Sequence, residues 1–246
     1  MKPLAFHSPA GSSGRSGSSG MLHLARLLQL SDSTLPIGSF AFSNGLESAV
    51  QTGIVSDPES LRAYVELILR QSSRMDGVAL LHAHRAACAG AYEPILEADA
   101  ELYCRRVGEE QQLMLTRVGK KFGELASKIM PAPLLSRWLD DIKAKSTPGC
   151  LPVGQAVALA SAGVDETEAF VMQHYALASM VLGAALRLMR IDHLDTQKIL
   201  FAAQARVESD YEAVRDLALD EMASFAPVLD VLVAHHTTTH VRLFMN

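Results

Sequence analysis

The sequence predicts an all-α protein, a single-domain helical bundle of roughly ten helices. Three observations favour this class. Apolar residues recur at intervals of three and four along most of the chain, several of these stretches begin with helix-capping signals, and no segment shows a convincing alternation of period two. With 246 residues and 49% hydrophobic composition, the chain also has enough apolar surface for one sizeable core.

The amino-terminal segment differs from the rest of the chain. Residues 11–20 read GSSGRSGSSG and carry no side chain able to pack, so the entropy lost on ordering their backbone would not be recovered. Leu24, Leu27 and Leu28 then begin a helical spacing. We therefore expect a disordered leader over residues 1–20 and a folded helical domain over residues 21–233.

A sharp corner follows the first helix. Residues 31–42 read SDSTLPIGSFAF, and Pro36 and Gly38 cannot both sit comfortably inside one regular helix. The pattern predicts a loop of fixed geometry and then a short helix over residues 44–51. Asp57 and Pro58, within a capping-box spacing, open the next helix.

The remaining helices follow from periodicity and from proline positions. His174 is the lone ionisable residue on the apolar stripe of the helix predicted over 167–190, where it is expected to be a core histidine with a partner. Small residues in that helix favour a central position in the bundle. The predicted helices of this part cover residues 75–88, 94–129, 134–142, 167–190 (capped by Asp165 and Glu168), 195–222 and a short stretch after Pro227, with a turn-rich connection over 146–152.

Charge and cysteine usage exclude several classes of protein. The chain has 22 Lys and Arg against 27 Asp and Glu, a net charge of -5, which gives no electrostatic reason to expect nucleic acid or an anionic membrane as partner. Cys88, Cys104 and Cys150 form no C-x-x-C pair and indicate a reducing compartment. Polar residues interrupt the longest apolar stretches before about twenty residues. We expect a cytoplasmic protein with neither an export signal nor a membrane span.

No set of residues assembles into an active site. The sequence has no phosphate-binding loop, no G-x-S-x-G elbow and no H-E-x-x-H helix, so we expect no cofactor and no enzymatic activity. His236 and His240 are weak metal candidates at an i, i+4 spacing, but three threonines between them disfavour a helix, and a surface or interface role is favoured. His82 and His84 diverge by about 200° on a helix, which makes joint ligation improbable. The carboxylate pairs Asp140–Asp141 and Glu109–Glu110 are expected on solvated faces.

The corner carries a family resemblance. Residues 27–55, LLQLSDSTLPIGSFAFSNGLESAVQTGIV, resemble the opening of the UreF family of urease accessory proteins, with its L-P-x-G-x-F pattern followed by S-x-G-L-E. Phe42 replaces a tyrosine that is usual in that pattern, which removes a hydroxyl. The matching positions are Leu35, Pro36, Gly38, Phe40, Ser43, Gly45, Leu46 and Glu47.

Two later segments extend the resemblance. Residues 149–200 are similar to the family at Arg187 and Gln197, although Asp192 and His193 replace its usual glycine-glutamine turn. The tail HHTTTHVRLFMN resembles an H-E-T-x-x-x-R-L-F ending. It matches at His236, Arg242, Leu243 and Phe244, while Thr237 stands in place of a common glutamate and His240 in place of a frequent tyrosine.

The resemblance implies a helical homodimer that acts as an adaptor for nickel insertion. It would bind the accessory protein UreD (UreH) through a tail over residues 234–246, recruit the GTPase UreG and help to deliver nickel to urease apoprotein. The residues expected to bind partners are Pro36, Gly38, Phe40, Phe42, Ser43, Gly45, Glu47, Arg187, Gln197, His236, Arg242, Leu243 and Phe244.

Alternatives remain open at this point. The corner residues also fit a purely structural turn, Arg187 fits an arginine that extends from a core helix to water, and the tail could fray without a role. The chain could instead regulate UreG catalysis with an inserted arginine, Arg187 or Arg242, or could be a helical metal-binding enzyme that uses its histidines.

Overall fold

The computed structural model describes residues 17–32, 34–223, 226–236 and 243–244, and every regular element in these ranges is helical. The predicted all-α, single-domain bundle is therefore confirmed. Two 3₁₀ turns, Ser39–Ala41 and Leu219–Glu221, and a π-helical turn, Ser73–Gly77, complete the elements. The twelve α-helices in the described ranges are α1 (Gly17–Ser31), α2 (Leu46–Gln51), α3 (Pro58–Ser72), α4 (Val78–Cys88), α5 (Glu93–Cys104), α6 (Glu109–Ile129), α7 (Pro133–Ala144), α8 (Leu151–Ser161), α9 (Glu166–Leu188), α10 (His193–Gln204), α11 (Val207–Glu212) and α12 (Pro227–His236).

Two long helices predicted from the sequence are each divided, and those predictions were wrong. The stretch 94–129 breaks into α5 and α6 at Gly108, whose φ of 98° lies where residues with a Cβ rarely go. The stretch 195–222 ends its first helix at Gln204. The chain then turns so that the carbonyl of Leu217 lies 2.8 Å from His82 Nε2 on α4, a position that a continuous helix would not reach.

The ends of two other elements differ from the predicted bounds. Helix α1 begins at Gly17, four residues before the expected start of the domain, and residues 1–16 of the predicted leader lie outside the described residues. Helix α8 begins at Leu151, with Pro152 in its first turn, so it takes up the end of the predicted turn-rich connection.

The larger core cluster forms where α4, α6 and α8 pack together, with α5 and α7 around them. Glycines allow the close approach of these helices: a Cβ on Gly119 of α6 would lie 2.2 Å from the carbonyl oxygen of Gly149. A Cβ on Gly154 of α8 would meet the ring of the fully buried Trp138 at 2.7 Å. This half of the bundle is therefore tightly fixed.

The second core cluster is built from α2, α3, α10, α12 and the carboxy-terminal half of α9. Helix α9 runs through both clusters and packs against α1, α2, α3, α4, α8, α10 and α11, in agreement with its predicted central position. By length and composition α9 could cross a membrane, but half of its most apolar window is buried inside the bundle. Its His174 is 5% exposed and lies 3.4 Å from Asp210, as expected for a core histidine with a partner.

Candidate interaction site

The corner between α1 and α2 is shaped by glycines in the left-handed region. Gly38 has a φ of 84° and Gly45 a φ of 79°, conformations that favour glycine because they crowd a Cβ. Gly45 also has little room for a side chain, since a Cβ there would lie 3.1 Å from the Tyr64 hydroxyl and 3.2 Å from Val233 Cγ2 of α12. These two positions thus fix both the path of the loop and the seating of α12 beside it.

The inner side of the corner is buried and held by hydrogen bonds. Phe42 is 3% exposed within the larger core, and Ser43 is fully buried, with its hydroxyl oxygen 3.4 Å from the Glu47 amide. The Tyr64 hydroxyl donates a hydrogen bond of 2.6 Å to the Asn44 carbonyl. Burial raises the pKa of Tyr64 well above its ordinary value, so that it stays a neutral donor at physiological pH. Phe42 and Ser43 therefore support the corner from inside.

The outer side of the corner faces solvent. Phe40 is 65% exposed on the 3₁₀ turn, and Pro36 beside it is also exposed. Arg187, near the end of α9, donates a hydrogen bond of 3.0 Å from its Nη2 to the Phe40 carbonyl. The corner is in this way tied to α9 while its aromatic side chain stays accessible.

Leu243 and Phe244 dock against this corner. Glu47 is 1% exposed, and its two carboxylate oxygens accept hydrogen bonds from the Leu243 and Phe244 amides at 2.8 and 3.1 Å. Phe244 is buried in the second core, and the Arg187 guanidinium lies 4.1 Å from the centroid of its ring. Leu243 points the other way and is 69% exposed. Residues from three distant segments thus meet at one surface.

The remaining predicted positions are not brought into this network. Gln197 is exposed on α10, which packs against α3 and α9, and takes no part in the hydrogen bonds of Glu47 and Arg187. His236 is the last residue of α12, and nothing is described of its side chain. His240 and Arg242 lie outside the described residues. The part of the chain that the structure describes holds no group of three His, Cys, Asp or Glu residues that could bind a metal ion.

Sequence reasoning missed a largely apolar cavity behind the corner, with a few polar groups in its wall. It has a volume of about 160 Å³ and lies between the corner, α6, α9 and α12, with Arg106 and Asp76 forming an ion pair in its wall. Gln111 of α6 donates a hydrogen bond of 3.2 Å to Asp230 of α12 across one end. The π-helical turn that contains Asp76 gives no periodic signal, and Gln111 reads as an ordinary polar residue, so no sequence feature indicates the cavity.

The fold and this site define a class of protein: an all-helical bundle that displays a loop corner with Leu243 and Phe244 docked against it. Comparison with known proteins agrees with that class. The family model described as UreF matches residues 55–204. The chain is 47% identical over 227 residues to urease accessory protein UreF 2 of Brucella canis, with 92% of each chain covered. It is 44% identical over 223 residues to urease accessory protein UreF of Yersinia enterocolitica, with 91% of this chain and 98% of that one covered.

The chain belongs to the UreF family of urease accessory proteins. It is accordingly an accessory protein in urease maturation and not an enzyme.

Proposed function

We propose that this protein is a cytoplasmic, homodimeric adaptor that bridges UreD (UreH) and the GTPase UreG while nickel is inserted into urease apoprotein. Binding to UreD (UreH) uses the tail, and recruitment of UreG uses the corner. The observation that carries the proposal is the meeting of Phe40, Glu47, Arg187 and Phe244 at one surface. The proposal assigns no metal ligand and no cofactor to the chain.

The docked pair Leu243 and Phe244 has the properties of a prepared binding element. Two backbone hydrogen bonds to Glu47 and the buried Phe244 ring hold it in place, while Leu243 projects into solvent. Arg187 contacts both the Phe40 carbonyl and the Phe244 ring, and so links the two segments that carry the exposed apolar side chains of Phe40 and Leu243. Apolar anchors that are already ordered lose little entropy on binding.

The state of Arg187 bears on the alternative of a GTPase regulator. An arginine that stabilises a phosphoryl-transfer transition state must reach the nucleotide with a free guanidinium. The Arg187 guanidinium is instead engaged with the Phe40 carbonyl and the Phe244 ring. In this conformation Arg187 holds the tail, which supports the adaptor role over the regulatory one for this residue.

The experiment separates partner contact from tail docking. Leu243→Asp places a charge on the exposed side chain, and we expect it to weaken binding of purified UreD (UreH) at least about tenfold because an apolar anchor is lost. Leu194→Asp, at a similarly exposed leucine on α10, is the matched control and should bind as wild type does. Affinity is measured by titration calorimetry, and thermal melting checks that both variants fold.

Deletion of residues 234–246 tests the assignment of the whole tail. Unchanged co-purification of the shortened chain with UreD (UreH) would exclude the tail as the binding element, and equal affinities of Leu243→Asp and wild type would exclude Leu243 as its anchor.

A further inference from the structure

The exposed face of α6 carries a concentration of positive charge. Between residues 117 and 128 it presents four cations, Arg117, Lys120, Lys121 and Lys128, and a single carboxylate, Glu124, and all five side chains are exposed. The whole chain has a net charge of -5. One helix face of an acidic protein therefore carries a local excess of positive charge.

The lysines of this face differ from Lys143 and Lys198 in how they are paired. Lys143 and Lys198 each form an ion pair with an aspartate three residues earlier, at 2.9 and 3.0 Å. Lys120, Lys121 and Lys128 form no ion pair with any carboxylate in the described ranges. Glu124 on the same face offsets part of their charge, and the remaining positive charge is available to an external anion.

Helix α6 is a rigid support for these charges. Its inner face buries Val118 and Phe122 in the larger core. Two glycines on the inner side are in close contact: a Cβ on Gly119 would overlap Gly149, and one on Gly123 would lie 3.0 Å from Trp138. The lysines thus project from a helix that cannot shift without disturbing the core, and exposed substitutions on its outer face leave the packing intact.

The basic face adjoins the corner. A Cβ on Gly38 would lie 3.5 Å from Lys121 Nζ, so the helix and the loop form one continuous surface. Phe40, at 65% exposure, lies two residues further along the loop, and Leu113, at 53% exposure, lies one turn before Arg117 on α6. Positive charge beside exposed apolar side chains suits a partner surface of opposite charge, because electrostatic complementarity across an interface contributes specificity and speeds association.

We propose that the α6 face formed by Arg117, Lys120, Lys121 and Lys128, together with the adjoining corner, docks an acidic surface of a partner protein. The inference rests on the proposed adaptor function and names the charge of the partner surface. A protein is favoured over nucleic acid because the basic area is confined to a single helix face, contains exposed apolar side chains and belongs to a chain with a pI near 6.0.

The test reverses the charge of the face. In the full-length chain, Lys120→Glu, Lys121→Glu and Lys128→Glu are combined, and binding of purified UreG, UreD (UreH) and urease apoprotein is measured at low and high salt. We expect at least one of these partners to bind about tenfold more weakly at low salt, with the difference shrinking at high salt because screening removes surface attraction. The matched control combines Lys143→Glu, Lys145→Glu and Lys198→Glu, which changes the net charge equally at other sites.

Four outcomes would overturn the inference. If the α6 variant bound every partner with unchanged affinity and salt dependence, the α6 face would not be a docking surface. If the control variant lost as much affinity as the α6 variant, the effect would come from net charge alone. If wild type bound a short DNA duplex through these lysines while protein binding stayed unchanged, the surface would belong to nucleic acid. If wild type bound none of the three proteins, the adaptor function itself would fail. That result differs from one in which wild type binds a partner and the three lysine substitutions leave the affinity unchanged, which would overturn only the docking surface.

Discussion

Two buried carboxylates organise two regions of this molecule in different ways. Asp99 on α5 is fully buried and accepts four hydrogen bonds within the larger core. Its donors are the Trp138 indole at 3.0 Å, the Thr147 hydroxyl at 2.6 Å, and the amides of Gly149 at 2.9 Å and Cys150 at 2.7 Å. All of them lie on α7 or on the connection from α7 to α8.

Glu47 on α2 is almost as deeply buried, at 1% exposure, but it accepts long-range hydrogen bonds from the amides of Leu243 and Phe244. These lie on a chain end 196 and 197 residues away in sequence. Asp99 therefore closes a connection inside the larger core, whereas Glu47 holds a segment that we expect to leave while the helices stay packed. The comparison teaches that a buried carboxylate that accepts backbone hydrogen bonds can hold a permanent connection between helices in one region and a separable segment in the other.

The largest expected effect follows from removing the acceptor in the permanent region. Asp99→Ala leaves two side-chain donors and two backbone amides buried without partners, and unsatisfied buried donors cost about 1 to 3 kcal/mol each before relaxation. We expect the free energy of unfolding to fall by about 4 kcal/mol or more, at the severe end for single substitutions. Urea unfolding followed by circular dichroism measures the change.

The control for this prediction is Asp140→Ala, on the exposed side of α7, where the loss should stay within about 0.5 kcal/mol. If Asp99→Ala unfolded at the same urea concentration as this control, the buried carboxylate would not be the element that closes the connection.

A smaller effect, confined to the tail, is expected at Glu47. In Glu47→Ala the Leu243 and Phe244 amides lose their acceptors but can turn to water, so global stability should fall by only about 1 kcal/mol. Protection of these two amides from hydrogen exchange should be lost, while α4 and α8 remain protected. Exchange monitored by mass spectrometry on carboxy-terminal and core peptides measures both.

The result at Glu47 would break the comparison in either of two ways. A loss of protection that spread through α4 and α8 would show that the tail is part of the permanent core. Unchanged protection of the Leu243 and Phe244 amides would show that Glu47 is not what holds them.

The helices were predictable because local chemistry determines them. The apolar stripe of α9 and its capping box were visible in the sequence, and the structure contains that box, with the Glu168 amide 2.8 Å from Asp165 Oδ1. The break at Gly108 was not predicted because the apolar period continues on both sides of it. A single glycine in a periodic stretch can be helical or can end a helix, and only the surrounding packing decides between them.

The site was predictable only in part, for the same reason. Corner and tail residues could be singled out by resemblance, and Gly38 also by turn chemistry. No local pattern, however, predicts that Glu47 pairs with Leu243 across nearly the whole chain, or that Tyr64 reaches the corner carbonyl. Such contacts depend on how α2, α3 and α12 pack, which is a property of the assembled bundle.

The smallest expected effect concerns the bridge between corner and tail. Arg187→Ala removes the hydrogen bond to the Phe40 carbonyl and a cation–π contact with Phe244, which at an exposed arginine contributes about 0.5 to 1 kcal/mol. Because Glu47 still accepts both tail amides, protection of Leu243 and Phe244 should fall only about threefold, with no change in the melting temperature of the core. Arg187→Lys keeps the charge but loses the planar stacking group, and it should lie between wild type and Arg187→Ala. Equal exchange rates in wild type and Arg187→Ala would show that Glu47 alone fastens the chain end.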